Sequence, residues 1–151
     1  MQLINPFTAP GNWYQGNLHA HTTNSDGGGT PEEVVARYHA AGHDFLAMTD
    51  HWHVTDTTGL ERDSFLLIPS VEWDGDQTEL GDTYHLLGLG VHTVGRLPEV
   101  PTVQEAVEWI TGEGGLAVIA HPSFASIIWC RPRSQERSAI TRPVYSSTIC
   151  T

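Results

Sequence analysis

Five short apolar runs, 17–22, 45–49, 65–71, 86–91 and 116–120, punctuate the chain, with helical signals between them. That alternation restricts the fold more than any other feature, because short strands separated by helices assemble as βα units around a mainly parallel sheet. In the first run, Leu18 and Ala20 fall on one face while His19 and His21 fall on the other, by the two-residue period of a strand. The following Asn24-Ser25-Asp26-Gly27-Gly28-Gly29 has the glycines of a tight loop. Thr30-Pro31-Glu32-Glu33 combines a capping box with proline at the first helical position. It predicts a helix to about Ala41, stopped by Gly42, with an apolar stripe of Val34, Val35, Tyr38 and Ala41. A second capping box, Thr102 with Glu105, predicts a helix through Ile110 that Gly112, Gly114 and Gly115 bring to an end. The last run, Leu116 to Ala120, is continuously apolar, as strands buried on both faces are.

The polar residues fall where such folds place their chemistry. His19 and His21, then His51, Glu72 and His121, each sit at or just beyond the C-terminal end of a predicted strand. His85 precedes its apolar run, so either that strand is antiparallel or the loop from Asp74 to Tyr84 folds back across the site. Five histidines with the carboxylates of Asp26 and Glu72 suit an oxygen and nitrogen site for divalent metal ions. Cys130 and Cys150 lie far from these segments in the sequence, which excludes thiolate ligation and a disulfide framework. His39 and His43, on or just after a helix, read as solvated, while His53 and His92 stay open. Asp74-Gly75-Asp76 has part of a calcium-loop pattern, but without the other ligands of the twelve-residue loop it reads as a turn. Trp13, Trp52 and Trp73 flank these motifs and are expected in the core.

Asn17-Leu18-His19-Ala20-His21-Thr22 with Ser25-Asp26-Gly27, then Thr49-Asp50-His51, Glu72, His85 and Ala120-His121-Pro122, resembles the PHP family, the polymerase and histidinol phosphatase domain. Gly11 to Gly90 is most similar to its carbaryl-hydrolase-like branch, and the resemblance spans about residues 11–125. It implies a distorted barrel of seven βα units, of which about five strands are recognisable here, and two or three metal ions at the C-terminal edge of the strands. By motif, His19 and His21 would bind a first ion with Glu72 as a bridging carboxylate, Glu72, His85 and His121 a second, and Asp26 and His51 a third. Zinc, manganese or iron would serve. Glu72 and Asp50 are the catalytic candidates, Asp50 through its place beside His51. The family closes its first and third sites with an Asp-x-His pair, and none follows His121.

Composition sets the remaining limits. Apolar residues make up 39 % of 151 and charged residues 17 %, as in a soluble globular domain. No leader or membrane span is recognisable, which reads as cytoplasmic. A net charge of −11 disfavours long nucleic acids, so phosphate contact would come through metals. The first 130 residues hold 17 of the 18 acids and only Arg37, Arg62 and Arg96 of the seven cations, whereas 130–151 is an Arg/Ser/Thr-rich tail without glycine or histidine. Since a closed βα barrel takes around 250 residues, the expected organisation is a lead-in over 1–16, a partial PHP domain over 17–129, and a tail that is either a solvated basic segment or out of frame. An open barrel wall exposes strand edges, so self-association is expected. The function implied is a metal-dependent hydrolase, chiefly a phosphoesterase for a small phosphorylated metabolite or nucleotide. The alternatives are a non-catalytic metal-binding remnant, or a carbamate or ester hydrolase in the intact parent.

Overall fold

The computed structural model describes Asn5 and residues 7–75, 84–97 and 102–121. The tail over 130–151, Asp76 and Pro122 lie outside the described residues. In chain order the elements are β1 (Gly16–Ala20), α1 (Pro31–Ala40), β2 (Phe45–Met48), β3 (His53–Val54), β4 (Leu66–Gly75), β5 (Tyr84–Leu89), β6 (Gly95–Arg96), α2 (Val103–Gly112) and β7 (Leu116–Ile119). Five strands form one strongly curled sheet in the order β1-β2-β4-β5-β7, a half-barrel, while β3 and β6 make a small antiparallel pair.

The sheet is mixed, where a mainly parallel one was expected. β1, β2 and β4 are parallel, and β5 runs antiparallel to both β4 and β7. Among the five, β5 alone is reversed. Its reversal accounts for His85: the N-terminal end of β5 lies at the same sheet edge as the C-terminal ends of its neighbours, so a ligand there must precede its apolar run. The strand itself is Tyr84–Leu89, two residues earlier than the expected start, and takes His85 inside it.

Alternation divides the side chains between two faces. On one face Val71, Trp73 and Leu86 pack with Ala106 and Ile110 of α2, and Trp52 and Trp109 border them. Gly88 faces Ile110, Val71 and Trp73 so closely that a methyl group would crowd the helix. Ala20, Leu46 and Met48 pack against Val34 and Val35 of α1. On the opposite face Ala47, Leu87, Leu89 and Ala120 form a third cluster, and Glu72 stands directly across from Leu87. A carboxylate is thereby presented on the face opposite the one that α1 and α2 cover.

Both helices begin as their caps predict. The Thr30 hydroxyl accepts from the Glu33 amide while the Glu33 carboxylate takes the Thr30 amide. The helix ends at Ala40, with Gly42 at φ 79°. At α2 the Thr102 hydroxyl accepts from the Glu105 amide and donates to its carboxylate, and the helix runs two residues past Ile110.

Other expectations need correcting. β4 continues to Gly75, so Glu72 lies within the strand and Asp74-Gly75 extends it instead of turning. β7 is an edge strand among the described residues, with Leu116 65 % and Ile119 69 % exposed, where burial on both faces was expected. Trp13 is 74 % exposed and stacks on Phe7 outside the core, whereas Trp73 is buried. β3 and β6 had no counterpart in the sequence reading, and His53 falls on β3. His39 is exposed, but His43 is half-buried against the Tyr38 ring.

Candidate metal centre

The site is organised on one buried carboxylate. Glu72 is 1 % exposed, and its two oxygens address separate groups of histidines. Oε2 lies 2.9 Å from His21 Nε2, 3.7 Å from His19 Nε2 and 3.8 Å from His51 Nδ1. Oε1 lies 2.8 Å from His85 Nδ1 and 3.2 Å from His121 Nε2. Five imidazoles from four segments of the chain thus converge on a single side chain.

Each arrives by a local cause. His19 and His21 are fixed by β1 and the residue beyond it. The His51 backbone forms a parallel bridge with Glu72, sealed by the Glu72 amide on the Asp50 carbonyl and the Trp52 amide on the Glu72 carbonyl. This continues the β2–β4 pairing past the strand end, and Trp52 then turns the chain at φ 56°. His85 is the cross-strand partner of Asp74, two residues from Glu72 on the same face. His121 follows β7 with φ 30°, a backbone region that side-chain-bearing residues seldom occupy and that clusters at functional sites.

Asp26 is carried by the glycine loop. Ser25 and Gly27 amides donate to the Thr22 carbonyl, folding the loop back so that Asp26 Oδ1 reaches His21 Nδ1 at 2.9 Å and Oδ2 stands 3.8 Å from His51 Nε2. A Cβ at Gly27 would collide with the His21 backbone. Close approach, rather than an unusual torsion, is what requires glycine there.

Three sets of donors lie close enough to hold a metal ion: His19, His21 and Glu72; Glu72, His85 and His121; and His21, Asp26 and His51. The first two coincide with the sets implied by the resemblance, and the third adds His21 to the expected pair. A neutral imidazole has one lone pair, so His21 can serve only one of the two sets that share it. Its shorter carboxylate contacts leave Nε2 toward Glu72 and Nδ1 toward Asp26, which makes Asp26 its orienting partner in the first set. The donors are imidazole nitrogens and carboxylate oxygens, with Glu72 shared by two of the sets, and they suit divalent cations.

Thr49, quoted above only as part of a motif, is the hydrogen-bond partner of His19 Nδ1. Its buried hydroxyl lies 2.8 Å from His19 Nδ1 and 3.3 Å from the Ala20 carbonyl; with its proton on that carbonyl it accepts from His19 Nδ1–H, the tautomer that leaves the Nε2 lone pair facing Glu72. Asp50 stands apart from the ligand atoms. It is fully buried, and its carboxylate accepts from the Thr22 amide and from the hydroxyls of Thr22, Ser25 and Thr55 at 2.6–2.8 Å. It ties the 22–25 loop to the segment after β3, with its carboxylate directed to those groups and not to the His51 ring.

The electrostatics follow from this packing. Burial would raise the Glu72 carboxyl, but the His21 hydrogen bond, the His19 charge and the His85 hydrogen bond outweigh it and bring it down to about 2. Burial opposes protonation of His21, yet its hydrogen bond and charge interaction with Glu72, joined by Asp26, raise it above the ordinary histidine value. His19 is lowered, by burial first and then by His21, His121 and His51, with Glu72 pulling the other way. Glu72 is ionised throughout the physiological range.

No protein-family model matches the chain, and comparison with the curated proteins found no match. Among solved structures, an amidohydrolase from Chromobacterium violaceum, with bound sulfate and no metal, aligns over 72 % of this chain and 67 % of its own. The TM-score is 0.56 at 21 % identity. The two share a fold. On that fold the histidine and glutamate clusters form donor sets suited to divalent cations.

Proposed function

We propose that the chain is a PHP-type metal-dependent hydrolase that acts as a phosphoesterase on a small phosphorylated metabolite or nucleotide. The observation that carries this reading is the buried Glu72 carboxylate with histidines on both oxygens, an arrangement suited to bridging two cations. His19 and His21 would hold one ion, His85 and His121 the other, and Asp26 with His51 a third. Cations bound there supply water activation and polarisation of the scissile ester. The chain's own residues do the rest: Glu72 offsets the cation charge, while Thr49 and Asp26 hold His19 and His21 in the tautomers that present Nε2.

Recognition of the anionic group falls to the metals in this reading. No arginine forms an ion pair within the cluster among the described residues, and Arg62 is engaged by the Leu60 and Glu61 carbonyls. A second reading, hydrolysis of a carbamate or other ester, is favoured by the likeness to an amidohydrolase and by the resemblance to the carbaryl-hydrolase-like branch. The test is turnover of p-nitrophenyl phosphate and of p-nitrophenyl acetate with added manganese or zinc, alongside Glu72→Ala. Preferential phosphate release supports the first reading and ester cleavage alone the second. Rates equal to the Glu72→Ala control for both would leave a metal-binding protein without hydrolysis.

A further inference from the structure

Asp74 belongs to none of the three donor sets, and the sequence pattern placed it in a turn. The structure puts it in β4 instead, two residues beyond Glu72 and on the same face, where its Oδ1 lies 3.3 Å from His51 Nδ1. Both atoms are sealed from solvent, and neither makes a hydrogen bond among the described residues. Two buried polar atoms left without such a bond are costly unless they serve each other or a ligand. The other nitrogen of the same ring, Nε2, points toward Asp26 Oδ2.

We propose that Asp74 is the positioning residue of His51: by accepting Nδ1–H it fixes the tautomer whose Nε2 lone pair faces Asp26 and a cation held there. Metal-binding histidines commonly give their second N–H to a carboxylate, which sets ring orientation and raises ligand basicity. The three histidines on this side of Glu72 are then oriented by three different acceptors, His19 by Thr49, His21 by Asp26 and His51 by Asp74. A slight closing of the 3.3 Å separation, with alignment of the N–H, completes the bond. The cation part of the inference rests on the proposed metal-dependent reading; the pairing of the two side chains does not.

The experiment uses the full chain with 15N-labelled histidine. Long-range 1H–15N correlation of the metal-free protein at pH 8 reports which His51 nitrogen carries the proton, in wild type, Asp74→Asn and Asp74→Ala. The expected result is Nδ1–H in wild type and in Asp74→Asn, whose amide oxygen still accepts, and loss of that preference in Asp74→Ala. Zinc titration should show Asp74→Ala weakened by about 10- to 100-fold in one binding step, with the steps that depend on Glu72 retained. A His51 proton on Nε2 in wild type, or an unchanged tautomer in Asp74→Ala, would overturn the pairing. A wild type that binds no cation would overturn the metal reading, and the tautomer comparison would still decide the pairing.

Discussion

Glu72 and His85, thirteen residues apart, meet at 2.8 Å because β5 doubles back antiparallel along β4 and sets Asp74, not Glu72, directly opposite His85. The contact is diagonal and on one face, within reach of long side chains. A parallel β5 would carry His85 to the far edge of the sheet. The reversed strand is therefore what lets Glu72 divide its oxygens between two histidine groups.

That division predicts a defined response to pH. Glu72 has a folded value of about 2, below the ordinary 4.5, so its contribution to stability is present above 4.5 and is lost as pH falls through about 2. The metal-free protein should lose urea resistance progressively across that window, and Glu72→Gln should remove this part of the slope. His21 is shifted the other way, and its proton competes with a cation for Nε2. Zinc affinity is accordingly expected to fall already between pH 8 and 6, with protons released on binding. Calorimetry in buffers of different ionisation enthalpy measures both, and a pH-independent affinity would contradict the assignment of His21 as a ligand.

Asp50 should behave as a structural anchor. Removing a buried carboxylate that serves four donors leaves those donors without a partner, at a cost of about 1–3 kcal/mol for each unsatisfied group before relaxation. Asp50→Ala is expected to lower stability by more than about 3 kcal/mol in urea denaturation, and Asp50→Asn by less, since the amide keeps one acceptor. Unchanged stability with abolished turnover would instead make Asp50 a catalytic residue.

Gly27 offers a separable test of the Asp26 set. A methyl group there meets the His21 backbone, and the loop must lift for it to fit. Gly27→Ala should weaken cation binding in the step that involves Asp26 while leaving the Glu72–His85–His121 set intact. Zinc stoichiometry by elemental analysis, with melting temperature as a folding control, distinguishes this from general unfolding. Loss of every bound ion with the fold preserved would count against independent sets.

Much of this centre was legible because its ligands obey strand and cap grammar. His19 and His21 alternate with Leu18 and Ala20, and His51 and His121 end apolar runs, so one strand-edge rule collected them. The exceptions share a cause in tertiary pairing. β3 and β6 are two residues each, too short to show a period, and form because they meet each other. Asp74-Gly75 looks like a turn since glycine is poor in strands, yet the Tyr84 ring covers Gly75 so closely that no Cβ would fit, and the strand continues. A continuous apolar run cannot say whether its strand is central or at an edge, which is why exposure of Leu116 and Ile119 was missed. The buried hydroxyl of Thr49 and the four donors to Asp50 have no sequence signature at all, because they depend on which loops come together.

Thr49 provides the most discriminating variant. Thr49→Val keeps the side-chain shape and β-branching but removes the hydroxyl that partners His19 Nδ1, so the imidazole loses the bond that holds Nε2 toward Glu72. The variant also leaves the Ala20 amide without its hydroxyl contact, while the Thr49 backbone bond to the Ala20 carbonyl persists. Stability should therefore fall by only about 1 kcal/mol, whereas cation affinity at the His19–His21–Glu72 set should fall by about 10- to 100-fold. Thr49→Ser, which retains the hydroxyl, should recover most of the affinity. Affinity lost equally in Thr49→Val and Thr49→Ser would place the effect in packing of β2, while unchanged affinity in Thr49→Val would show that His19 is oriented by the cation itself.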